Sequence, residues 1–324
     1  MVYPLKFKSI YKDKIWGGDK IKKLLNKNYG DLPNCGETWE LSTVSGDISV
    51  VSNGLWRGQD LKSLLAQQGA SILGVKLYEK FGTDFPLLIK FIDANQDLSI
   101  QVHPDDALAK KRNEGSGKTE MWYVLQADEQ AFLITGFNQP MSREVYLEKL
   151  KSGNLMEVLN KEQVAKGDVF FLPAGRIHTI GKGLLIAEIQ QTSDITYRIH
   201  DFNRRDDQGN KRALHLEESL DAIDFTYKSN YKTKYDQGLN KRVQLVVCPY
   251  FVTNKLNLTD KKIFSAPRVA GFKIYICIEG SAKIVDGDQE TLLVKGETVL
   301  IPAILSTYEI KADTEAVLLE TYIV

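Results

Sequence analysis

Short apolar runs dominate the chain and predict a protein built mainly from β-strands. Each run spans four to eight residues rich in Val, Ile, Phe, Leu or Tyr, and Gly, Pro, Asp or Asn often separates two runs. These runs predict strands at 85–92, 98–102, 121–125, 131–134, 169–172, 184–190, 243–247, 272–278, 282–285, 298–301 and 316–322. Apolar residues at three- and four-residue spacing predict helices at 60–67, 105–111, 142–151 and 216–223.

Many short strands with few helices are typical of a β-sandwich or barrel and not of an alternating α/β fold. The polar segment 227–240 lacks apolar periodicity and is rich in Lys and Tyr, so we interpret it as a linker. The sequence therefore predicts one domain at 1–226 and a smaller domain at 241–324.

Two segments of the chain resemble each other. Residues 166–174 read KGDVFFLPA, and residues 295–303 read KGETVLIPA. Twelve positions after the lysine, the first copy has His178 and the second has Thr307. The two copies therefore differ in chemistry although they agree in apolar pattern.

The strands that precede these segments can also be aligned. Placing Tyr123 opposite Tyr275 puts Glu120 opposite Phe272. We therefore expect a duplicated small β-barrel of the cupin, or jelly-roll, type. Only the first barrel would keep a set of polar ligands, and the second would keep only the packing.

Charge and composition exclude several classes of protein. The 324 residues include 42 Lys plus Arg and 42 Asp plus Glu, and this zero net charge argues against a general nucleic-acid or membrane-surface binder. No apolar run approaches the ~20 residues of a membrane span. The N-terminus lacks a secretory pattern, and three widely spaced cysteines suit free thiols, so we expect a cytoplasmic protein.

Four polar residues of the first copy could hold a metal ion. Residues 99–106 read SIQVHPDD, and in a strand the side chains of Gln101 and His103 project from one face. Glu120 and His178 complete a set of two imidazoles, one carboxylate and one amide oxygen. This set suits a borderline divalent ion such as Zn²⁺. Because it leaves room for water on the ion, it indicates a catalytic ion and not a structural one.

A single histidine in a β-protein is more often a hydrogen-bonded packing residue than a ligand. The chain has only four histidines, and two of them lie in the strand-end motifs described above. The motifs together therefore favour a metal site. His215 opens a helical pattern and is interpreted as a packing residue, while His200 receives no assignment.

Several motifs resemble those of type I mannose-6-phosphate isomerase, in its short bacterial form. The matching segments, in chain order, are IYKDKIWGG, GETWELS, SIQVHPDD, GKTEMWYVL, PAGRIHTIG and EIQQTSDITYRIHDFNR. The resemblance implies a two-cupin fold, a Zn²⁺ site at Gln101, His103, Glu120 and His178, and reversible isomerisation of mannose 6-phosphate to fructose 6-phosphate. The segment 142–164 is short compared with the helical insertion of longer members, so that part of the pocket wall should differ.

The resemblance also implies catalytic residues. An aldose–ketose exchange through an enediol needs a base and charge stabilisation on the substrate oxygens. Arg198 in TYRIHDF resembles the active-site arginine of the family, and its planar fork could hold those oxygens. Lys118 lies two residues before Glu120, and Glu188 and Asp194 match acidic positions of the family. The base remains open between Lys118 and Glu188 acting with water on the metal.

Ser99, Lys90 and Arg204 resemble positions that line the phosphate end of the substrate pocket in the family. The sequence supports equally well that Lys90 is a charged residue at a strand edge and that Arg204 is a solvated charged residue in a loop. No glycine-rich phosphate loop is present in the sequence. We interpret the Trp16-Gly17-Gly18 segment and residues 37–41, ETWEL, as architectural.

Two other functions are weighed against the isomerase. Two histidines and one carboxylate would also permit an Fe(II) oxygenase or a different metal-dependent cupin isomerase. A non-catalytic sugar-phosphate sensor is the third hypothesis. Such a protein should have lost a metal ligand or Arg198, and the sequence retains all of these residues. The expected partners are a phosphosugar substrate and at most a second copy of the chain, as a monomer or homodimer, with no nucleic acid and no membrane.

Overall fold

Strands carry most of the backbone hydrogen bonding in this computed structural model, which describes residues 2–205, 208–259, 263–265, 270–305 and 307–324. We call residues 1–226 the first half and residues 241–324 the second half. The strands of the first half are β1 (Leu5–Lys6), β2 (Ile10–Gly18), β3 (Cys35–Leu41), β4 (Thr43–Val44), β5 (Asp47–Ile48), β6 (Leu87–Ala94), β7 (Ile100–Val102), β8 (Glu120–Ala127), β9 (Phe132–Phe137), β10 (Leu159–Gln163), β11 (Val169–Leu172), β12 (His178–Ile180), β13 (Leu184–Gln191) and β14 (Tyr197–His200). Those of the second half are β15 (Arg242–Val247), β16 (Val252–Thr259), β17 (Ile263–Ser265), β18 (Lys273–Asp286), β19 (Gln289–Val294), β20 (Thr298–Ile301), β21 (Glu309–Lys311) and β22 (Glu315–Tyr322).

Six α-helices lie among the described residues, all in the first half. They are α1 (Lys20–Leu25), α2 (Leu61–Leu73), α3 (Val75–Phe81), α4 (Asp106–Lys111), α5 (Arg143–Lys151) and α6 (Leu216–Ala222). Side chains of Asp60, Asp105 and Ser142 cap α2, α4 and α5 by accepting a hydrogen bond from a backbone N–H. The helix predicted at 60–67 continues past a kink at Gln68, because α2 buries a further apolar turn.

Two antiparallel sheets form a sandwich in the first half of the molecule. The six-stranded sheet has the order β11-β8-β13-β6-β3-β2, and the five-stranded sheet has the order β10-β9-β12-β7-β14. Ile92, Trp122 and Ile186 of the first sheet pack with Leu133 and Ile180 of the second. The mainly β expectation is confirmed. The prediction of closed barrels is wrong, because the two sheets stack as an open, cupin-like sandwich and leave a cleft at one end.

The second half packs on the opposite face of the six-stranded sheet. Ile89, Phe91 and Ala187 belong to the same core cluster as Phe272 and Ile276 of the second half. Every residue of β6 and β13 is buried, because the second half covers one face of these strands and the five-stranded sheet covers the other. One large core therefore joins the two halves.

The predicted linker lies against the first half. Tyr231 accepts a hydrogen bond from the backbone N–H of Phe137 and donates one to its carbonyl, and Thr233 bonds to Val169. The Tyr235 hydroxyl donates to the carbonyl of Gly167. These contacts fix the path of the segment, although it has no apolar periodicity.

The ladder register corrects the alignment of the two copies. Leu172 and Ile301 both precede the proline of their motif, and they pair with Glu120 and Lys273 respectively. Lys273, not Phe272, therefore takes the place of Glu120. The one-residue error arose because tyrosines were aligned without knowledge of the strand partners.

The comparison of His178 with Thr307 also needs revision. Thr307 is exposed, whereas the next residue, Tyr308, is buried and shares a 2.8 Å hydrogen bond with the Tyr275 hydroxyl. Tyr308, and not Thr307, is therefore the residue that faces the core of the second half at this position.

Candidate metal centre and substrate cleft

One face of the six-stranded sheet carries a row of polar side chains. Glu188 on β13 lies directly between Lys90 on β6 and Trp122 on β8 in the strand register. Glu120 precedes Trp122 by two residues and so shares its face. The residues that alternate with this polar row along the same strands, such as Ile89 and Ala187, point into the core shared with the second half. The polar row therefore faces the five-stranded sheet.

The five-stranded sheet supplies the opposing side chains. Gln101 on β7 pairs with His178 on β12 at one side and with Arg198 on β14 at the other. Ile100 and Val102 belong to the outer core cluster, so Gln101 projects from the opposite face, towards the polar row. The pairing of these three short strands thus places Gln101, His178 and Arg198 in one row, although Gln101 and Arg198 are 97 positions apart in the sequence.

Three buried residues from the two sheets converge on one point. The candidate ligand atoms of His103, Glu120 and His178 all lie within 4.8 Å of one another. The Nε2 atom of His178 lies 3.3 Å from Glu120 Oε1, and Nε2 of His103 lies 3.6 Å from Glu120 Oε2. The Gln101 amide lies 3.3 Å from His178 Nε2, so a rotation of the amide can direct its oxygen to the same point.

The hydrogen bonds around the histidines orient both rings for metal binding. Nδ1 of His103 lies 2.8 Å from the carbonyl of Ile195, and Nδ1 of His178 lies 2.8 Å from the carbonyl of Arg176. A carbonyl accepts only from an N–H, so the Nε2 lone pair of each ring faces the centre. Nε2 of His103 and both carboxylate oxygens of Glu120 are buried without a hydrogen-bond partner among the described residues. These unsatisfied atoms fit a bound cation.

Burial shapes the electrostatics of the site. It lowers the pKa of His103 well below its ordinary value and that of His178 to about 4, so both imidazoles are neutral and can coordinate a metal. Burial, with the charge of Glu188, raises the pKa of Glu120 to about 8 when no ion is bound. A cation would restore the ionised carboxylate.

A second charged network lies beside this centre. Lys90 Nζ is 3.2 Å from Glu188 Oε1 and 3.9 Å from Glu37 Oε2, while the indoles of Trp122 and Trp39 donate to Glu188 and Glu37 respectively. Burial raises the pKa of each carboxyl, but Lys90, a second lysine and the indole hydrogen bond together outweigh burial and lower both pKa values, that of Glu37 to about 2. Both carboxylates are therefore ionised and held in place by Lys90.

The cleft between the sheets has a volume of about 430 Å³, and Gln101, which lies 3.3 Å from His178, is among the residues that line it. Lys118 lines its wall and lies 3.4 Å from Glu120 Oε2. Arg198 and Arg212 lie on the same cleft, and burial followed by the positive charge of Arg212 lowers the pKa of Arg198. Two guanidinium groups close together in a polar cleft fit an anionic ligand.

Both halves of the chain match models of known families. Residues 5–140 match the catalytic domain of phosphomannose isomerase type I, and residues 241–320 match the cupin domain of mannose-6-phosphate isomerase. The mannose-6-phosphate isomerase of Streptococcus mutans is 36% identical over 98% of each chain, and ManA of Bacillus subtilis is 33% identical over 97% of this chain and 98% of its own. The chain belongs to the type I mannose-6-phosphate isomerase family.

Solved structures of the family have the same fold. The crystal structure of the mannose 6-phosphate isomerase from Bacillus subtilis aligns with a TM-score of 0.89 at 30% identity over 99% of each chain. A phosphomannose isomerase from Salmonella typhimurium aligns with a TM-score of 0.80 at 16% identity, and this second likeness concerns the fold alone. Among the described residues no helix is long and apolar enough to cross a membrane.

Most residues predicted for the site by this family resemblance lie on or beside the cleft. The lining includes Ser99, Lys90, Gln101, Lys118, Glu188, Asp194 and Arg198. Arg204 is not among these residues. Its guanidinium bonds to the carboxylate of Asp201 and to the carbonyl of Asp97, and the phosphate role of Arg204 stays a prediction.

Sequence reasoning missed several residues of the cleft. Trp16, Glu37 and Trp39 line it, although their segments were interpreted as architectural. Their signal was present in the alternation of β3, which places Glu37 and Trp39 on one face of the strand. Arg212 had no such signal, because it lies in a loop whose path is decided by tertiary contacts with Asp201.

Proposed function

We propose that this protein is a metal-dependent isomerase that interconverts mannose 6-phosphate and fructose 6-phosphate. The observation that carries the proposal is the buried cluster of His103, Glu120 and His178 beside a cleft that also holds Arg198 and Arg212. Membership of the isomerase family and the names of the relatives support the same reaction.

Zn²⁺ is the ion that we propose for the centre. His103, Glu120 and His178 would hold it, with Gln101 as a fourth ligand, and two imidazoles with one carboxylate suit this ion. When bound, it would supply Lewis-acid polarisation of the substrate oxygens. The remaining chemistry is assigned to side chains of the chain.

Lys118 is our candidate for moving the proton between C2 and C1 of the substrate. It is 5% exposed, lines the cleft and lies next to the metal ligand Glu120. Glu188 is the weaker candidate, because Lys90 and Lys118 lower its pKa and its oxygens already contact Lys90 and Trp122. A general base works best with a pKa near the operating pH. We therefore assign Glu188 and Lys90 to positioning.

The substrate phosphate is assigned to Arg212 at the mouth of the cleft, with Arg198 holding the oxygens nearer the metal. Arg212 keeps a 2.8 Å hydrogen bond to Asp201, which fixes its direction. Ser99 is buried beside Gln101, and Asp194 is exposed at the rim. These positions support a lesser role for Ser99 in binding and for Asp194 in proton exchange with solvent.

The domain division and cellular setting are part of the proposal. Residues 1–226 would form the catalytic unit, and residues 241–324 would form a structural partner. The three cysteines are all free, and this agrees with an enzyme of the reducing cytoplasm. Monomer and homodimer both remain predictions for the assembly.

The first experiment is an isomerase assay on purified protein, before and after chelation and with Zn²⁺ added back. We expect turnover of mannose 6-phosphate that chelation removes and Zn²⁺ restores. No turnover by metal-replete protein would reject this reaction and favour another cupin enzyme or a sensor. Turnover that survives complete removal of metal would reject the proposed centre.

A further inference from the structure

A cavity larger than the cleft lies away from the metal centre. Its volume is about 720 Å³, within the range of small-molecule sites. Strand β8, the linker and strands of the second half form its walls. Tyr123 on its floor projects from the face of β8 opposite to Trp122 and Glu120, so the cavity and the cleft are separated by the sheet.

Lys255 holds an unusual position in this cavity. Its ammonium nitrogen lies 5.4 Å from the centre of the Tyr235 ring and 5.8 Å from that of Tyr123. Among the described residues no carboxylate oxygen lies within 4.0 Å of it. The two rings thus hold a half-buried cation without neutralising it.

Three acidic residues of the described ranges line the cavity, and two of them have lysine partners, while the third, Glu162, accepts a hydrogen bond from the Asn160 amide. Glu279 binds both Lys166 and Lys295, and Asp168 lies 2.7 Å from Lys232. Burial and then the positive charge of Lys166 lower the pKa of Lys255, so the two cations repel each other. A bound anion would remove this repulsion and would replace the water that Lys255 has lost.

We propose that this cavity binds a small phosphate monoester through Lys255, at a site separate from the metal centre. Four lysines and three carboxylates line this cavity, and the oxygens of a phosphate would accept charge-assisted hydrogen bonds from the Lys255 ammonium, which has no carboxylate partner among the described residues. The site joins both halves and the linker, so occupancy should stabilise the folded chain. The proposal is independent of the isomerase reaction.

The test is calorimetric titration of metal-loaded, full-length protein with glycerol 3-phosphate and with inorganic phosphate. We expect two binding sites in the wild type. K255Q should lose one site, with affinity at least tenfold weaker, and R212Q should lose the other. K255R should retain both because it keeps the charge, and K228Q, which changes an exposed linker lysine outside the cavity, should behave like the wild type.

Several results would overturn the proposal. K255Q with two sites of unchanged affinity would exclude Lys255, and a single site lost only in R212Q would leave the cleft as the phosphate site. Tighter binding of inorganic phosphate than of glycerol 3-phosphate would assign the cavity to the free ion. If K255Q melts below the wild type without ligand, K255R decides the outcome, because loss of its site would contradict the role of charge.

Discussion

Glu120 illustrates how one residue can be poised for a metal. Its carboxyl is fully buried between His103 and His178, and neither of its oxygens has a hydrogen-bond partner in the described part of the chain. Burial of a carboxylate is costly, and the Lys118 ammonium 3.4 Å from Oε2 offsets only part of that cost, so the pKa of Glu120 is raised to about 8. A divalent ion held by His103, Glu120 and His178 would offset that cost and favour the ionised carboxylate.

Substitution of a histidine at this centre tests the ligand assignment. We expect His178→Ala to lower metal affinity more than ~10-fold and to abolish turnover, because the ring supplies a lone pair that alanine lacks. Metal content after dialysis and the isomerase rate measure both effects. Thr307→Ala, at an exposed position of the second copy, is the control and should retain both. Wild-type metal content in the His178 variant would contradict the assignment.

Arg212 gives a second prediction at the residue scale. Arg212→Gln should raise KM for mannose 6-phosphate by about tenfold and change kcat less, because the residue is assigned to the phosphate and not to the reacting carbons. Steady-state kinetics measure this split. Arg205→Gln changes an arginine of the same loop that bonds to the carbonyl of Gly209 and should leave KM unchanged. An equal KM effect in both variants would argue for general electrostatics.

At the scale of elements, strands β16, β18 and β22 of the second half repeat the pairing of β6, β8 and β13 with different charges. Glu320 on β22 pairs with Tyr275 and Asn254, as Glu188 pairs with Trp122 and Lys90. The Glu320 carboxylate accepts hydrogen bonds from Arg242 at 2.6 and 2.8 Å and from the Tyr275 hydroxyl. An internal arginine therefore neutralises the buried carboxylate, in a cluster whose polar groups bond to one another.

This cluster predicts a large stability effect without an activity effect. Arg242→Ala should lower the free energy of unfolding by about 3–5 kcal/mol, because it removes the guanidinium that pairs with the buried Glu320 carboxylate. Urea unfolding measures the change, and kcat/KM of the folded fraction should match the wild type. Arg143→Ala breaks an exposed pair with Asp221 and should cost less than about 1 kcal/mol. Similar losses in the two variants would show that burial of Glu320 is not decisive.

At the scale of the whole molecule, the six-stranded sheet is the central layer. Its inner face borders the cleft, and Ile89 and Phe91 on its outer face pack in one core cluster with Phe272 of the second half. Phe85, two residues before β6, lies with its ring centre 4.7 Å from that of Phe272. The second half therefore covers an apolar surface that the first half cannot bury by itself.

Removal of the second half should consequently prevent folding of the first. We expect a chain that ends at residue 240 to aggregate, because the outer faces of β6, β8 and β13 would lie in water. Size-exclusion chromatography and near-ultraviolet circular dichroism would detect this. Coexpression of residues 241–324 should restore soluble protein. A truncated chain that is monomeric and unfolds cooperatively would contradict this dependence.

The sequence by itself determined the mainly β class, the duplicated motif and the candidate ligands, because alternation and turn residues are local properties of a strand. Gln101 and His103 could be placed on one face from their spacing alone. Only the tertiary structure decided that the sheets stay open, that Lys273 and Tyr308 take the inward positions of the second copy, and that Arg212 lines the cleft where Arg204 does not. Register and loop path depend on partners far along the chain, and one sequence does not encode those partners in any local pattern.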